Sequence, residues 1–226
     1  MKNEPIVDFR QLRIEKQLEA DRQLFSLYES FFSYLQKNTN LREKVRAKHL
    51  FHHMVGLQPD QVSDDFWTVH FEHWFAFDYR TVVGSRMFDM FIREQRQHLS
   101  KGMLQQSGLL FMMALEPYMV KRVDSHKELL IADPFQANAE AFKVKSMLFS
   151  FDDVKVGDVL LLRLVRSGFD DVMVGPYAKV PSDKTMDMLA EMKQDKERVV
   201  DTNSEISWRL YVKEHGVKYL QYARQL

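Results

Sequence analysis

Cysteine is absent from this chain of 226 residues. Its absence excludes disulfide bonds, cysteine-based zinc sites, iron–sulfur clusters and cysteine nucleophiles. Glycine is scarce, with eight residues, and there is no glycine-rich phosphate loop, dinucleotide-binding fingerprint or serine nucleophile elbow. The enzyme classes that depend on these motifs are therefore not indicated.

Net charge and long apolar runs are lacking as well. Lysine plus arginine equals aspartate plus glutamate, at 32 each, which argues against a dedicated nucleic-acid-binding protein. No apolar run approaches the roughly 18 residues of a membrane-spanning helix. The segment Met1–Arg10 is polar and lacks the apolar core of a secretory signal. We therefore expect a cytoplasmic protein with no membrane partner.

The spacing of apolar residues changes twice along the chain and predicts an α+β fold. Residues 1–115 show helical spacing, with Asp8 as the N-cap of a long first helix and a break at residues 38–40. Residues 116–182 hold short strand-like runs and predict a small antiparallel β unit, either a half-open barrel or a bent sheet. Residues 183–226 predict two C-terminal helices packed on the rest. No glycine- or serine-rich linker separates the regions, which favours close packing.

The most distinctive segment is residues 66–79, in which seven of fourteen side chains are aromatic. On a helix its apolar side chains cover about half of the circumference or more, so we expect this helix to be buried. His70, His73 and Asp78 fall inside the apolar arc. Because buried polar groups need partners, this helix is where a site is most strongly indicated.

A metal site is one hypothesis for these residues. His70 and His73 lie about one turn apart, and His52 falls in an apolar arc of the second helix with Leu41, Val45 and Val55. The spacing matches neither the His-Glu-x-x-His motif of metalloproteases nor the Glu-x-x-His pairs of di-iron bundles. The alternative is that the histidines only hydrogen-bond in the aromatic core and that no cofactor is bound. The predicted ligands for one divalent transition metal are His52, His70, His73 and Asp78.

A basic stripe on the second helix gives a second hypothesis. Arg42, Arg46, His49 and His53 are spaced so that they share one helical face. Such a face could follow the phosphates of a nucleic acid. The chain shows no helix-turn-helix pattern, and the alternative is a solvated helix face. Nucleic acid is accordingly an unlikely partner on the sequence alone.

The β unit offers a third candidate surface, because small barrels bind peptides or oligonucleotides on exposed strands and loops. Phe169, Tyr177 and the step Gly175–Pro176 are the contact-type residues of this region. The alternative is that they cover the helical part of the protein. Gly175–Pro176 would then only end a strand or form a bulge in it, since proline cannot donate to a sheet.

Several short motifs resemble those of an uncharacterised family of bacterial proteins. That family has a helix of the form Trp-Phe-x-Phe-Asp-Tyr, then a glycine, a phenylalanine-containing helix, Leu-Ser, and a Gly-Asp-Val-Leu strand that continues into Arg-Leu-Val. Some members end in a cysteine-rich zinc-binding tail of the SEC-C type, which a chain without cysteine lacks. The resemblance covers about residues 60–180 and implies no catalytic residues, because the family has no known function. The matching residues here are Trp74–Tyr79, Gly84, Phe91, Leu99–Ser100, Gly157–Leu160 and Arg163–Val165.

No catalytic constellation emerges from these patterns. The sequence therefore favours a non-enzymatic bacterial accessory protein that binds another macromolecule, most simply another protein. A metal-dependent enzyme that uses the histidine and aspartate set is the first alternative, and a nucleic-acid-binding protein that uses the basic stripe is the second. The sequence does not identify the partner or the oligomeric state.

Overall fold

The structure of the protein, a computed structural model, describes residues 8–57, 64–202 and 206–223. Over these residues it confirms the α+β class. None of the helices in the described segments has both the length and the apolarity needed to cross a membrane. The helices are α1 (Phe9–Asn38), α2 (Leu41–Met54), α3 (Asp65–Phe77), α4 (Met87–Gln95), α5 (Lys101–Met112), α6 (Ser182–Thr202) and α7 (Trp208–His215). The strands are β1 (Leu115–Ser125), β2 (Glu128–Ala132), β3 (Phe142–Ser146), β4 (Val159–Ser167), β5 (Asp170–Met173) and β6 (Ala178–Val180).

Short polar side chains cap the N-termini of several helices at the predicted positions. The carboxylate of Asp8 accepts hydrogen bonds from the first backbone N–H groups of α1, and Asn40 does the same for α2 after the predicted break. Asp64 caps α3 and Ser100 caps α5. These caps satisfy N–H groups that have no partner within the helix. Ser63, the alternative cap of α3, lies outside the described residues.

The six strands form one strongly bent sheet. β1 pairs with β2 and β4, β2 with β3, β3 with β5, and β5 with β4, so the pairings close into a circuit, while β6 adds to β4. The circuit is irregular, because the register of β1 against β2 shifts twice. The predicted bent sheet is therefore confirmed. One pairing differs from the antiparallel expectation, since β3 and β5 run parallel and make the sheet mixed.

Two apolar cores hold these elements together. The smaller core lies within the bent sheet and contains Leu129, Leu160 and Leu164. The larger core runs from the helices across the other side of β4 to the C-terminal helices, and it includes Phe75 and Val165. The alternation of β4 thus places neighbouring side chains in different cores. The helical, sheet and C-terminal segments share the larger core and pack closely.

The buried face of α2 is the one opposite the basic stripe, and it differs from the arc predicted for His52. Phe51 is fully buried and its ring lies against the aromatic side chains of α3. This packing fixes the rotation of α2, so Leu41 and Val45 are exposed and His52 is only half-buried. Of the inward arc predicted for His52 with Leu41, Val45 and Val55, Val55 is buried, and the prediction is wrong for Leu41 and Val45.

Candidate functional site

His73 is buried on α3, as its place in the aromatic arc predicts, and both of its ring nitrogens have partners. Nδ1 lies 2.9 Å from the carbonyl oxygen of Val69, which can only accept, so Nδ1 carries the hydrogen. The hydroxyl of Tyr28 then donates to Nε2 at 2.6 Å. Burial lowers the pKa of His73 to about 4, so the ring is neutral near pH 7. A metal ion would have to displace one of these two hydrogen bonds.

His70 is also buried, one turn earlier on α3, and its ring lies against Phe66 with centroids 4.6 Å apart. Its Nε2 has no hydrogen-bond partner. Burial, followed by the nearby His73 and Arg163, lowers the pKa of His70 to about 3. The side chain is therefore a neutral imidazole packed in the core.

Asp78 lies at the end of α3 in a buried ion cluster. Nη2 of Arg163 on β4 lies 2.5 Å from Oδ2 of Asp78, and Nζ of Lys213 on α7 lies 3.1 Å from Oδ1. Lys213 also donates to the backbone carbonyl of Met113 at 2.7 Å. Each of the three charged side chains is less than a tenth exposed. Both carboxylate oxygens of Asp78 are thus engaged in joining α3, β4 and α7.

The ion cluster contains more cations than anions. Asp78 faces two cations, and Nη1 of Arg163 has no hydrogen-bond partner. Burial lowers the pKa of Lys213, and the charge of Arg163 acts in the same direction, while Asp78 opposes both. A cluster of this kind is costly to desolvate, and its best-supported role is to specify one packing arrangement.

The four predicted metal ligands are not brought together. His70 and His73 are neighbours on α3, but Asp78 is held by the two cations, and His52 is half-buried on α2. In the described part of the chain, no group of three or more histidine, aspartate or glutamate side chains is arranged to hold a metal ion. In the described structure the two histidines pack in the aromatic core and Asp78 is held by two cations, and metal binding stays a prediction.

The basic stripe on α2 is exposed along its whole length, at Arg42, Arg46, His49 and His53. Its charge is partly balanced locally. Nη1 of Arg46 lies 3.2 Å from Glu43, and its guanidinium group lies 5.9 Å from the ring centroid of Tyr79. The stripe is therefore a solvated helix face with an internal ion pair, and phosphate binding there remains a prediction.

The more developed surface is a groove beside the sheet, which we call the sheet groove. It consists of two adjoining depressions of about 350 Å³ and about 200 Å³ that share Phe142, Arg166 and Asp171. The first depression lies between α5, the sheet and the start of α7, and the second runs to the turn between β4 and β5. Exposed apolar side chains from α5 and from the turn between β4 and β5 line it, namely Leu109, Met112 and Phe169.

In three ion pairs at the sheet groove the cation is more exposed than its partner, whereas Lys145, which also lines the groove, is less exposed than its partner Asp170. Nη1 of Arg166 lies 2.7 Å from Asp171, with side chains that are 58% and 23% exposed. Nε of Arg209 lies 3.6 Å from Glu116, with side chains that are 51% and 16% exposed. Such exposed pairs contribute little to stability, so the cations can exchange partners at low cost. The pairs are Arg166 with Asp171, Arg209 with Glu116 and Lys143 with Glu128.

The residues predicted for binding in the β unit separate into two groups. Phe169 lines the sheet groove, under the guanidinium group of Arg13 at 4.7 Å. Tyr177 instead donates to Asp153 and packs its ring on Phe151 of the sheet core. Gly175 lies between β5 and β6, which each pair with β4, and it is buried against the ring of His73 on α3. Phe169 alone of these residues faces the groove.

Sequence reasoning missed most of the sheet groove. The helical spacing of the methionines suggests core packing for Met112, but its side chain is exposed. Arg166 and Arg209 come from elements far apart in the chain, so no local motif marks them. The available signal was weak: Arg166 is the only exposed residue in the otherwise buried strand β4.

Comparisons with protein-family models, with curated proteins and with solved structures find no match.

Proposed function

We propose that the protein is a non-enzymatic binding module that takes an extended, apolar and acidic segment of a partner protein in the sheet groove. The observation that carries this proposal is the combination of exposed apolar side chains with outward-facing cations in one continuous depression. Exposed apolar patches rimmed by polar groups are typical of protein-binding surfaces. The two adjoining depressions suit successive side chains of a bound segment.

Charge supports an acidic partner. The guanidinium groups of Arg166 and Arg209 stand further into solvent than the carboxylates that they contact. A carboxylate from the partner can therefore approach each arginine from the solvent side and form a charge-assisted hydrogen bond. Complementary charges of this kind set orientation and association rate more than affinity.

Apolar contacts supply the affinity in this proposal. Met112 and Leu109 present unbranched and branched aliphatic groups, and Phe169 presents a ring at the far end of the groove. Methionine adapts its shape to different ligands, which suits a surface that accepts a flexible segment. Burial of these side chains under a partner would contribute roughly 25 cal/mol for each Å² of apolar surface.

A random peptide library displayed on phage tests the proposal. Peptides selected on the wild-type protein are expected to combine apolar residues with aspartate or glutamate, and their binding should weaken as salt is raised. Met112→Glu places a carboxylate in the groove and should abolish binding of these peptides. Met186→Glu is the matched control, because Met186 is equally a solvent-exposed helical methionine and lies outside the groove.

Two outcomes would contradict the proposal. The first is selection of peptides with no acidic or apolar preference. The second is equal binding of the selected peptides to Met112→Glu and to the wild-type protein, which would show that they bind elsewhere.

A further inference from the structure

A separate cleft of about 300 Å³ lies between α6, the first residue of α7 and the segment that follows β2. It shares no lining residue with the sheet groove. We call it the aromatic–lysine cleft, after the side chains Phe135, Trp208, Lys193 and Lys196. Asp133, Gln136 and Glu197 complete its lining.

Two aromatic rings form one part of this cleft. The rings of Phe135 and Trp208 meet edge to face, with centroids 4.9 Å apart and planes at 79°. Both side chains are half-buried, so each leaves part of its ring open. The other two tryptophans of the chain, Trp67 and Trp74, are buried in the helical core. Trp208 is therefore the one tryptophan that a molecule in solution can reach directly.

Asp133 holds the phenylalanine in place. Its Oδ1 accepts a hydrogen bond from the backbone N–H of Phe135, and its Oδ2 accepts one from the side-chain amide of Gln136, both at 2.8 Å. The carboxylate is thus engaged in fixing the turn that presents the ring. Its acceptor capacity toward the cleft is correspondingly reduced.

Two lysines of α6 stand over these rings. Nζ of Lys193 lies 5.4 Å from the ring centroid of Phe135, and Nζ of Lys196 lies 5.8 Å from that of Trp208. The two lysines are three residues apart and share one helical face. Over the described residues, neither ammonium group has a carboxylate within 4.0 Å, in contrast to Lys145 and Lys218. Both ammonium groups are therefore available to an anion.

We propose that the aromatic–lysine cleft binds a planar aromatic ring that carries an anionic group, the chemistry of a nucleoside monophosphate. The ring would stack on Trp208 beside Phe135, taking the ring face that Lys196 now covers, since aromatic side chains offer their faces to planar rings. The anionic group would bind to the ammonium groups of Lys193 and Lys196, which now contact only ring faces. Glu197, exposed at the rim, repels the anion, so Glu197→Gln should strengthen binding.

Heteronuclear NMR of the indole N–H signals tests this site, with AMP as the probe. The signal of Trp208, identified by its loss in Trp208→Phe, should shift saturably with AMP, while those of Trp67 and Trp74 stay in place. Adenosine and inorganic phosphate should each bind at least about tenfold more weakly than AMP, because each lacks one half of the recognised chemistry.

Matched lysine variants separate the cleft from general anion attraction. Lys193→Gln combined with Lys196→Gln should raise the AMP concentration at half-saturation by about tenfold or more. Lys184 lies on the same helix outside the cleft, and Lys184→Gln should leave the half-saturating AMP concentration unchanged. The proposal is overturned if AMP does not shift the Trp208 signal, if phosphate alone binds as tightly as AMP, or if the lysine pair and Lys184 have equal effects.

Discussion

The two buried histidines of α3 make the stability of the protein depend on pH. Their pKa values in the folded protein are about 3 for His70 and about 4 for His73, against an ordinary value of 6.5. In the unfolded chain both rings bind protons near their ordinary pKa. Because the folded pKa is the lower one, the stabilisation is complete above the unfolded pKa and is lost as the pH falls toward the folded values.

The size of this effect follows from the pKa differences. One pKa unit corresponds to about 1.4 kcal/mol, and at about pH 5 only the unfolded state binds the protons. Each histidine should therefore lower the free energy of unfolding by about 2 kcal/mol between about pH 7.5 and about pH 5. His70 is the better residue to replace, because its Nε2 has no hydrogen-bond partner, whereas both ring nitrogens of His73 have one.

Urea denaturation over this pH range measures the effect. The free energy of unfolding of His70→Gln should fall by about 2 kcal/mol less than that of the wild type as the pH is lowered from about 7.5 to about 5. The carboxylates contribute equally to both proteins and cancel in the comparison. His49→Gln, on the exposed face of α2, should keep the wild-type pH dependence. The reasoning is refuted if His70→Gln shows the wild-type pH dependence, or if the His70 ring titrates near its ordinary pKa in the folded protein.

Three further predictions test the packing. Trp74→Ala should lower the free energy of unfolding by about 3–5 kcal/mol in chemical denaturation, because it empties a large core site, and a wild-type value would show that α3 is not in the core. Asp78→Asn should lower the free energy of unfolding by about 3–5 kcal/mol, because it leaves two buried cations without an anion. Lys213→Met should lower it less, since Arg163 stays paired with Asp78, and the reverse order would contradict the ion cluster. Gly175→Ala and Gly157→Ala both place a side chain at positive φ, but only the Cβ at Gly175 meets a histidine ring, at 2.5 Å. Gly175→Ala should therefore lower the melting temperature more, and equal losses would show that the ring moves away freely.

The parts of the fold that depend on local patterns could be predicted from the sequence. The helix starts at Asp8 and Asn40 follow from side-chain capping, and the buried arc of α3 follows from its spacing. Which face of α2 is buried could not be predicted in the same way. Its apolar residues are spread round the helix, and the packing of Phe51 on α3 decides which of them are buried.

The partners of the inward polar groups could not be predicted from local patterns. Asp78 contacts residues that are 85 and 135 positions away in the chain. Arg163 sits within an apolar run that predicts a buried strand, and the run alone gives no sign of the carboxylate that it meets. The sequence therefore shows Asp78 as an inward carboxylate without showing that two cations lie beside it. The sheet groove is hidden for the same reason, because its lining comes from distant segments.

The buried ion cluster and the sheet groove are connected through the register of β4. Side chains alternate along a strand, so Arg163 and Val165 face the helices while Leu164 lies in the sheet core. A slip of one residue would move Arg163 into the sheet core, where Asp78 could not reach it, and an unpaired buried charge costs several kcal/mol. An apolar residue at position 163 would impose no such penalty, since both sides of β4 are apolar. The cluster thus specifies the register that carries Arg166 to the rim of the groove, three residues beyond Arg163.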